Sequence, residues 1–490
     1  MNGKFGKDLT VGSIPQHLLT FSIPMLVGNL LQTGYSIINT IWVGNQVGED
    51  AVGATAVSFP IVFIMIALAS GITLATTILV SQHYGAKEYN MVERVVNNSF
   101  ALALIIGIIL TIAGILSSDF LLRLMNTPPS IFVMASSYLK ISLAGFILMY
   151  FSFLITSILR GIGDTLTPLF FMFIGIVINA VLDPFLIMGI GPFPKLGLNG
   201  AAYASLIAQA VAFILAWFYL NKQNHFVAIN PKKFILDKQI TLLLFKIGFP
   251  SIIQQSLVSI GNAFITTFVN AFGAAAIAAF GAAGRVDSIA FMPAMSLSMA
   301  VSALTGQNLG AQKPERVKEI FKWGIVMTSV ITIIISVIAV SFPHLILSMF
   351  GFGQTESGFQ IGVGYLRIVG ASYILFAIMF ISNGIINGAG HTMTTMMFSL
   401  LSLWIVRVPF AWILSGMAFD KFSNSSNRFF QSLSTRIFSH FRYGLTGIWI
   451  SIVISFTVVM TISLMYYFSG RWKKAVVKFK GTPVPEPEFE

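Results

Sequence analysis

Apolar runs of about twenty residues or more recur from Leu18 to Phe468, punctuated by short stretches that hold charged residues, Gly and Pro. A helix rises about 1.5 Å per residue, so each run is long enough to cross roughly 30 Å of hydrocarbon. The pattern predicts helices near 18–43, 51–80, 92–117, 130–158, 165–190, 197–220, 240–270, 275–305, 318–348, 357–388, 393–415 and 444–469, twelve spans in all. A transmembrane β-barrel needs segments of roughly ten residues that alternate apolar and polar. The run Ala101 to Leu110 is apolar throughout and excludes that reading. The fold class expected is an all-α integral membrane protein.

Internal repetition changes the picture most. Ser81-Gln82-His83-Tyr84-Gly85-Ala86-Lys87, after the second span, matches Gly306-Gln307-Asn308-Leu309-Gly310-Ala311-Gln312 after the eighth, a shift of 225 residues. The same shift relates Pro184 to Pro409 in the fifth and eleventh spans. Nearby registers relate Gly161-Ile-Gly163-Asp164-Thr165 to Gly388-Ala-Gly390-His391-Thr392, and Leu19-Thr20-Phe21 with Pro24 to Leu243-Leu244-Phe245 with Pro250. Chance rarely keeps nearly one offset over four landmarks. Six spans return a chain to its starting side, so the two halves share an orientation and are expected to relate by a pseudo-twofold along the membrane normal. The boundaries that follow are a first lobe over residues 1–220, a basic linker over 221–239, a second lobe over 240–470 and a tail over 471–490. The four prolines Pro24, Pro184, Pro250 and Pro409 mark expected helix bends, because proline frees a backbone carbonyl within a span.

Composition agrees: 56% of residues are hydrophobic and only 9% charged, with mean hydropathy +0.85, too few polar side chains to cover a water-soluble globule. The formal charge of +12 would suggest nucleic acid in a soluble domain. Here Lys and Arg gather at span ends, where anionic lipid and the topology rule require them, so lipid and not nucleic acid is the expected polyanionic partner. Lys87, Arg94, Arg160, Lys222, Lys232, Lys233, Lys313, Arg316 and the tail lie on the side that carries both termini, whereas the opposite side holds Arg123 and Lys195. The biased side, with both termini, is read as cytoplasmic, in a multi-pass protein of the cell membrane. The chain has no cysteine, hence no disulfide framework, thiolate metal site or Cys nucleophile. The run behind the polar stretch Met1 to Gln16 is too long for an ordinary signal peptide, so the first span is expected to stay.

Gly197-Leu-Asn-Gly200 matches Gly444-Leu-Thr-Gly447, but at a shift of 247, so the second half carries about twenty-two extra residues before its last span. This insertion, residues 416–443, is expected outside the cell and adds Lys421, Arg428, Arg436 and Arg442 there. Phe429, Phe430, Leu433, Ile437, Phe438 and Phe441 share one helical face, the pattern of an interfacial helix; a Ser- and Asn-rich outer loop is the other reading.

Ionisable residues inside spans are the informative ones, since each costs about 3 kcal/mol or more unless paired or hydrated. Among the acids, Asp183 and Asp287 lie well within the hydrocarbon; the rest are assigned to loops or the tail. The intramembrane cations are Lys140, Arg285, Arg367 and Arg407. Asn179 precedes Asp183 by four residues and shares its helical face, while Pro184 loosens the Ala180 carbonyl. Carboxylate, amide and free carbonyl together suit a proton or Na⁺ site; the bland alternative is an Asp that caps a kink or pairs with a cation between lobes. Arg285 and Asp287 flank Val286 and point apart, so Asp287 is expected to meet Arg367 or Arg407 in a second-lobe ion cluster, which equally reads as a salt bridge that fixes packing. His391, in a turn, is read as structural. No Walker A loop, His-Glu-x-x-His or Gly-x-Ser-x-Gly occurs, so no enzyme activity or cofactor is expected, and solute movement would draw on an ion gradient.

The sequence resembles the multidrug and toxic compound extrusion family of secondary transporters. The resemblance runs from Leu18 to about Tyr467 and rests on Ile23-Pro24, Asn39-Thr40-Ile41-Trp42-Val43-Gly44, Gln82-x-x-Gly85-Ala86, Arg160-Gly161-x-Gly163-Asp164-Thr165, Asn179-x-x-Leu182-Asp183-Pro184 and Gly197-Leu-Asn-Gly200-Ala201-Ala202. It implies two six-helix lobes around a central cleft, alternating access, and export of amphipathic, often cationic, small molecules against inward H⁺ or Na⁺ by a monomer. It further implies a first-lobe cation site on Asp183, Asn179, Ser205 and position 39. Many members have Asp at that last position, where this chain has Asn39, which can ligate but cannot take up a proton. With Arg285, Arg367 and Arg407 in the second lobe, an anionic or zwitterionic substrate is nearer than the family average suggests. Alternatives are a lipid-linked saccharide flippase of the same superfamily, a membrane-embedded enzyme, and a non-transporting receptor.

Overall fold

The computed structural model describes residues 6–222, 227–349, 357–423 and 440–477, and the regular structure of these residues is helical. In the first half α1 is Ile14–Val47, α2 Glu49–Gly85, α3 Tyr89–Leu124, α4 Pro129–Ala144, α5 Phe146–Gly161, α6 Leu166–Met188 and α7 Leu198–Lys222. In the second, α8 is Lys238–Asn270, α9 Ala274–Gly310, α10 Pro314–Ser341, α11 Pro343–Ser348, α12 Ser357–Ile368, α13 Tyr373–Gly388, α14 Thr392–Leu400, α15 Val408–Leu414, α16 Met417–Ser423 and α17 Leu445–Phe468. Eleven helices of the described residues are long and apolar enough to cross a membrane, and the pair α4 and α5, bent by 44° at Gly145, makes a twelfth span.

The helices outrun the apolar segments that predict them. α2 has 37 residues and α3 has 36, so their ends project beyond about 30 Å of hydrocarbon. This corrects one expectation: Asp119 is not in a loop but near the end of α3, where it accepts from Ser136 at 2.5 Å and pairs with Lys140 at 2.8 Å. Pro24, Pro184 and Pro250 sit inside unbroken helices, and Pro409 opens α15 just after a π-helical stretch, Leu401–Arg407. The sharp break falls at Gly145, inside the run read as one helix over 130–158, and its second-half counterpart is the 3-10 turn Gly370–Ser372 between α12 and α13. Proline inside a span removes one hydrogen bond, which its neighbours in a packed bundle compensate.

α2 packs on α3, α4 and α5 in the first half, as α9 packs on α10, α12 and α13 in the second. The halves meet where α2 crosses α8 and α9 and where α1 crosses α9 and α10. A core cluster that joins Leu9, Leu18 and Phe21 to Leu304, Phe321 and Trp472 shows that the two halves share one apolar seam at the end carrying the chain termini.

At that end the repeat closes on itself. Gln82 Nε2 donates to the Gly388 carbonyl at 2.9 Å, and Gln307 Nε2 donates to the Gly161 carbonyl at the same distance. The Leu9 N–H donates to Gln307 Oε1 at 3.0 Å and the Val477 N–H to Gln82 Oε1 at 3.3 Å. Each glutamine therefore bridges the other lobe and one chain terminus. The crossing demands glycine: a Cβ on Gly85 would lie 1.9 Å from the Gln307 carbonyl oxygen, and one on Gly310 equally close to that of Gln82. Backbone meets backbone there.

The described part of the linker is strapped to the first half by Lys233–Glu93 at 2.6 Å and Arg94–Asp237 at 2.5 Å. Of the insertion, Arg442 pairs with Asp420 at 3.6 Å and lies 4.7 Å from the centre of the Phe419 ring. Phe429, Phe430, Leu433, Arg436, Ile437 and Phe438, the amphipathic set, lie outside the described residues.

Candidate functional site

In the first half the helical spacing of α6 sets Asn179 one turn before Asp183, and Asn179 Nδ2 donates to Asp183 Oδ1 at 3.2 Å. Ser205, from α7, donates its hydroxyl to Asn179 Oδ1 at 3.3 Å. Asp183 is 1% exposed, and no Lys or Arg among the described residues comes within ion-pair distance of it. Three of the four residues implied for a cation site are thus brought together. The fourth, Asn39, instead donates to the Tyr35 hydroxyl at 3.3 Å, and its own Oδ1 is buried with no partner. A buried amide oxygen without a donor is an acceptor left over, the kind of atom that ligates a small cation.

Two tyrosines escaped the sequence reading. The Tyr35 hydroxyl lies within hydrogen-bond reach of Ser205 and near Asp183, and the Tyr138 phenol, from α4, also approaches that carboxylate. A tyrosine at four residues before Asn39 was the available signal, because the two share one face of α1. A cavity of about 450 Å³ adjoins this cluster between α1, α2, α4 and α7. Asn39, Ser36, Thr40, Tyr138, Ser205 and Gln209 contribute its polar lining.

The second half corrects the expected ion cluster. Asp287 accepts hydrogen bonds from the hydroxyls of Tyr365 and Tyr373, the latter at 2.6 Å, and makes no ion pair among the described residues. Arg407 turns to Ser455, donating from Nε to its hydroxyl at 2.8 Å, and stacks 4.8 Å from the centre of the Phe456 ring. Arg285 and Arg367 are exposed. The physical reason is competition: two phenols on the broken span already satisfy the carboxylate, and an aromatic face with a hydroxyl satisfies the guanidinium without a buried charge pair. His391, as read, sits in a turn, with Nδ1 2.8 Å from the Tyr466 hydroxyl.

Between the lobes a cleft opens at the end opposite the termini. Among the hydrogen bonds of the described residues, the cross-lobe one farthest from the termini is Asn29 Nδ2 to Ser296 Oγ, 3.3 Å, and nearby Gly71 approaches Gly248 and Ile252. Beyond them the facing surfaces of α1, α2, α8 and α9 are exposed.

Comparison with known proteins fits this geometry. The profile of the MatE family matches residues 24–185 and 250–413. The chain is 31% identical over 466 residues to "Probable multidrug resistance protein YoeA" of Bacillus subtilis (strain 168), covering 94% of this chain and 95% of that one. It is 25% identical to a protein named "FAD transporter" from Shewanella oneidensis, across 80% of this chain and 86% of the relative. Among solved structures, one titled "Outward-facing conformation of a multidrug resistance MATE family transporter of the MOP superfamily" superposes with a TM-score of 0.83 at 24% identity, over 96% of this chain and 98% of its own.

Proposed function

The chain belongs to the MatE family of membrane transporters, and from that premise we propose that it exports amphipathic small molecules by alternating access, driven by inward H⁺ or Na⁺ exchanging at Asp183. One observation carries the reading: Asp183 is buried with an amide and a hydroxyl relay beside it and no cation to neutralise it. A carboxylate in that setting is stable only with a bound proton or metal cation, so its occupancy is linked to whichever lobe arrangement lets water reach it. The unsatisfied Asn39 oxygen supports Na⁺ as well as H⁺, since a metal cation takes several oxygen ligands and a proton needs one.

The end that carries both termini is cytoplasmic in this proposal, because it holds the basic connections, and the chain acts as a monomer in the cell membrane. In the conformation described the lobes are sealed there and parted opposite, so the molecule faces outward, ready to release cargo and take up the coupling ion. One proton that crosses 100 mV contributes about 2.3 kcal/mol, which sustains roughly a fifty-fold solute gradient. No nucleotide is needed.

The test is export of fluorescent dyes of both charges from proteoliposomes under an imposed pH or Na⁺ gradient, one at a time. Asp183→Asn keeps the shape and the hydrogen bonds but cannot exchange a proton, and the expected outcome is a folded, inserted protein without gradient-driven export. Unaltered rates in that variant would remove Asp183 from the coupling step.

A further inference from the structure

The exposure pattern of α9 is unusually informative about cargo. Gly281, Arg285, Ser288, Ile289, Met295 and Met299 are exposed and, with the half-buried Met292, fall within one face of the helix, so they form one stripe. The stripe runs on into Gly306 and Gly310, which press against Ser81 and Gln82 of the first lobe. It therefore faces the cleft and not lipid. The remaining faces of α9 are covered by α10, α12 and α13.

Arg285 stands on this stripe eleven residues from the first residue of α9, about 16 Å along the helix axis from its outer end. It has no hydrogen-bond or ion-pair partner among the described residues, and a Cβ on Gly281 or Gly284 beside it would meet nothing within 4 Å. A guanidinium with no protein partner is tolerated only with water around it, so the cleft is wet there. Its neighbour in sequence, Asp287, does not neutralise it, because both tyrosine hydroxyls draw that carboxylate into the second lobe. Asp183 is buried inside the first lobe, and the exposed acids Glu49 and Asp50 open α2 at the rim.

The walls around Arg285 differ in kind. On α8 the positions that continue from the Gly248 and Ile252 contact are Gln255, Ser259, Asn262 and Thr266, all exposed. On α2, Pro60, which the shift of 225 sets opposite Arg285, is exposed, and Ile64 one turn on is 60% exposed. A cation and a ladder of hydrogen-bond groups thus face an apolar wall.

We infer that the cleft recognises amphipathic organic anions, with Arg285 as the counter-charge to a carboxylate, sulfonate or phosphate group, Gln255, Ser259 and Asn262 as its polar surround, and the α2 wall as the seat of the apolar part. The inference deepens the export function proposed above and rests on it for its physiological meaning, though not for its chemistry. Guanidinium is suited to such groups because its paired N–H donors match two oxygens of the anion at once. A cationic drug in the same seat would meet Arg285 as a like charge.

The experiment compares two dyes on one xanthene frame, fluorescein as the anion and rhodamine 6G as the cation, by fluorescence anisotropy with the full-length protein in nanodiscs and no gradient. The wild-type protein is expected to bind fluorescein roughly tenfold or more tightly than rhodamine 6G. Arg285→Gln is expected to erase the difference, Arg285→Lys to restore part of it, and Arg285→Glu to invert it, with thermal unfolding unchanged because the side chain is exposed. Rhodamine 6G binding as tightly as fluorescein in the wild type, equal weakening of both dyes by Arg285→Gln, or binding of neither would overturn the inference. Since binding is read without transport, Asp183→Asn that still binds fluorescein but also still exports would refute the coupling site and leave the anion seat standing.

Discussion

Removing the two cross-lobe glutamines is expected to shift the protein toward the state open at the end that carries the termini. Gln82 and Gln307 are both 0% exposed. Gln82→Ala strands the Gly388 carbonyl and the Val477 N–H; Gln307→Ala strands the Gly161 carbonyl and the Leu9 N–H. A buried polar group left without a partner costs about 1–3 kcal/mol. Two such groups per variant give about 2–6 kcal/mol, and parting the lobes relieves the cost by admitting water. The open population should rise by a factor of roughly 30 to 20,000, at 1.4 kcal/mol per tenfold. The chain has no cysteine, so one introduced thiol is a unique reporter. Ser81 is suitable, because it is 0% exposed and lies against Gly306 across the lobe boundary. In inside-out vesicles, Ser81→Cys should react slowly with a membrane-impermeant maleimide, and faster by that factor when combined with Gln82→Ala or Gln307→Ala, up to saturation. Labelling at the parent rate in both combinations would refute the idea that these hydrogen bonds hold the end shut.

Other expectations follow from single contacts. Asp237 caps α8 by accepting from the Gln239 and Ile240 N–H groups and also meets Arg94; Asp237→Ala is expected to cost about 1 kcal/mol in chemical unfolding, and Asp237→Asn less. The Ile240 N–H first, then that of Gln239 and the Arg94 charge, hold the Asp237 carboxyl below its ordinary value. Its stabilisation is therefore complete above the unfolded carboxylate pKa, about 3.9, and is lost as pH falls through the lower folded value, a loss that Asp237→Asn should not show in thermal melts. Deleting Phe419 to Arg442 should leave dye export intact, because the first half works without such a segment, and complete loss of export would refute this. Asp287→Asn should lower thermal stability by about 1.5–3 kcal/mol, the worth of hydrogen bonds to a charged group, while export keeps its ion dependence; lost ion dependence with stability retained would make Asp287 a coupling residue instead.

What the sequence disclosed depended on whether one segment's own pattern carried the information. Length and apolarity gave all twelve spans, since a span needs only itself to satisfy its backbone. Asn179 and Asp183 were legible for the same reason, lying one turn apart on one helix. Tyr35 and Tyr138 were not, because their approach to Asp183 is set by how α1 packs on α6 and α4 on α7. The partner of Asp287 was expected on charge alone, which ranked the arginines above two phenols on a broken span, whereas Arg407 acts on that carboxylate only from beyond ion-pair distance. The Gln82 and Gln307 exchange was visible as a repeat, yet its chemistry appeared only when the two copies were seen to face each other.

That exchange is symmetric, whereas the two lobes are not, and the difference locates where movement is cheapest. The shift of 227 that relates Gly161 to Gly388 also relates Tyr138 to Tyr365 and Phe146 to Tyr373, and sets Gly145 against Ser372. Both lobes thus break their fourth helix at equivalent positions. In the second lobe Tyr365 on α12 and Tyr373 on α13 grip one carboxylate from either side of the break, so the angle between the segments is pinned by a fixed group. In the first lobe Phe146 has no hydroxyl, and Val62 stands where the shift of 225 would require the partner acid. Among the described residues no side-chain hydrogen bond ties α4 to α5 across Gly145, and the ionisable group nearby, Asp183, belongs to another helix, where the proposed function has a cation bind and leave. A hinge free to bend beside a site that gains and loses charge is the arrangement a coupled cycle needs, since the ion can shift the equilibrium only through contacts that differ between the two states. In the proposed cycle the second lobe supplies the rigid wall and its arginine, and the first supplies the moving part.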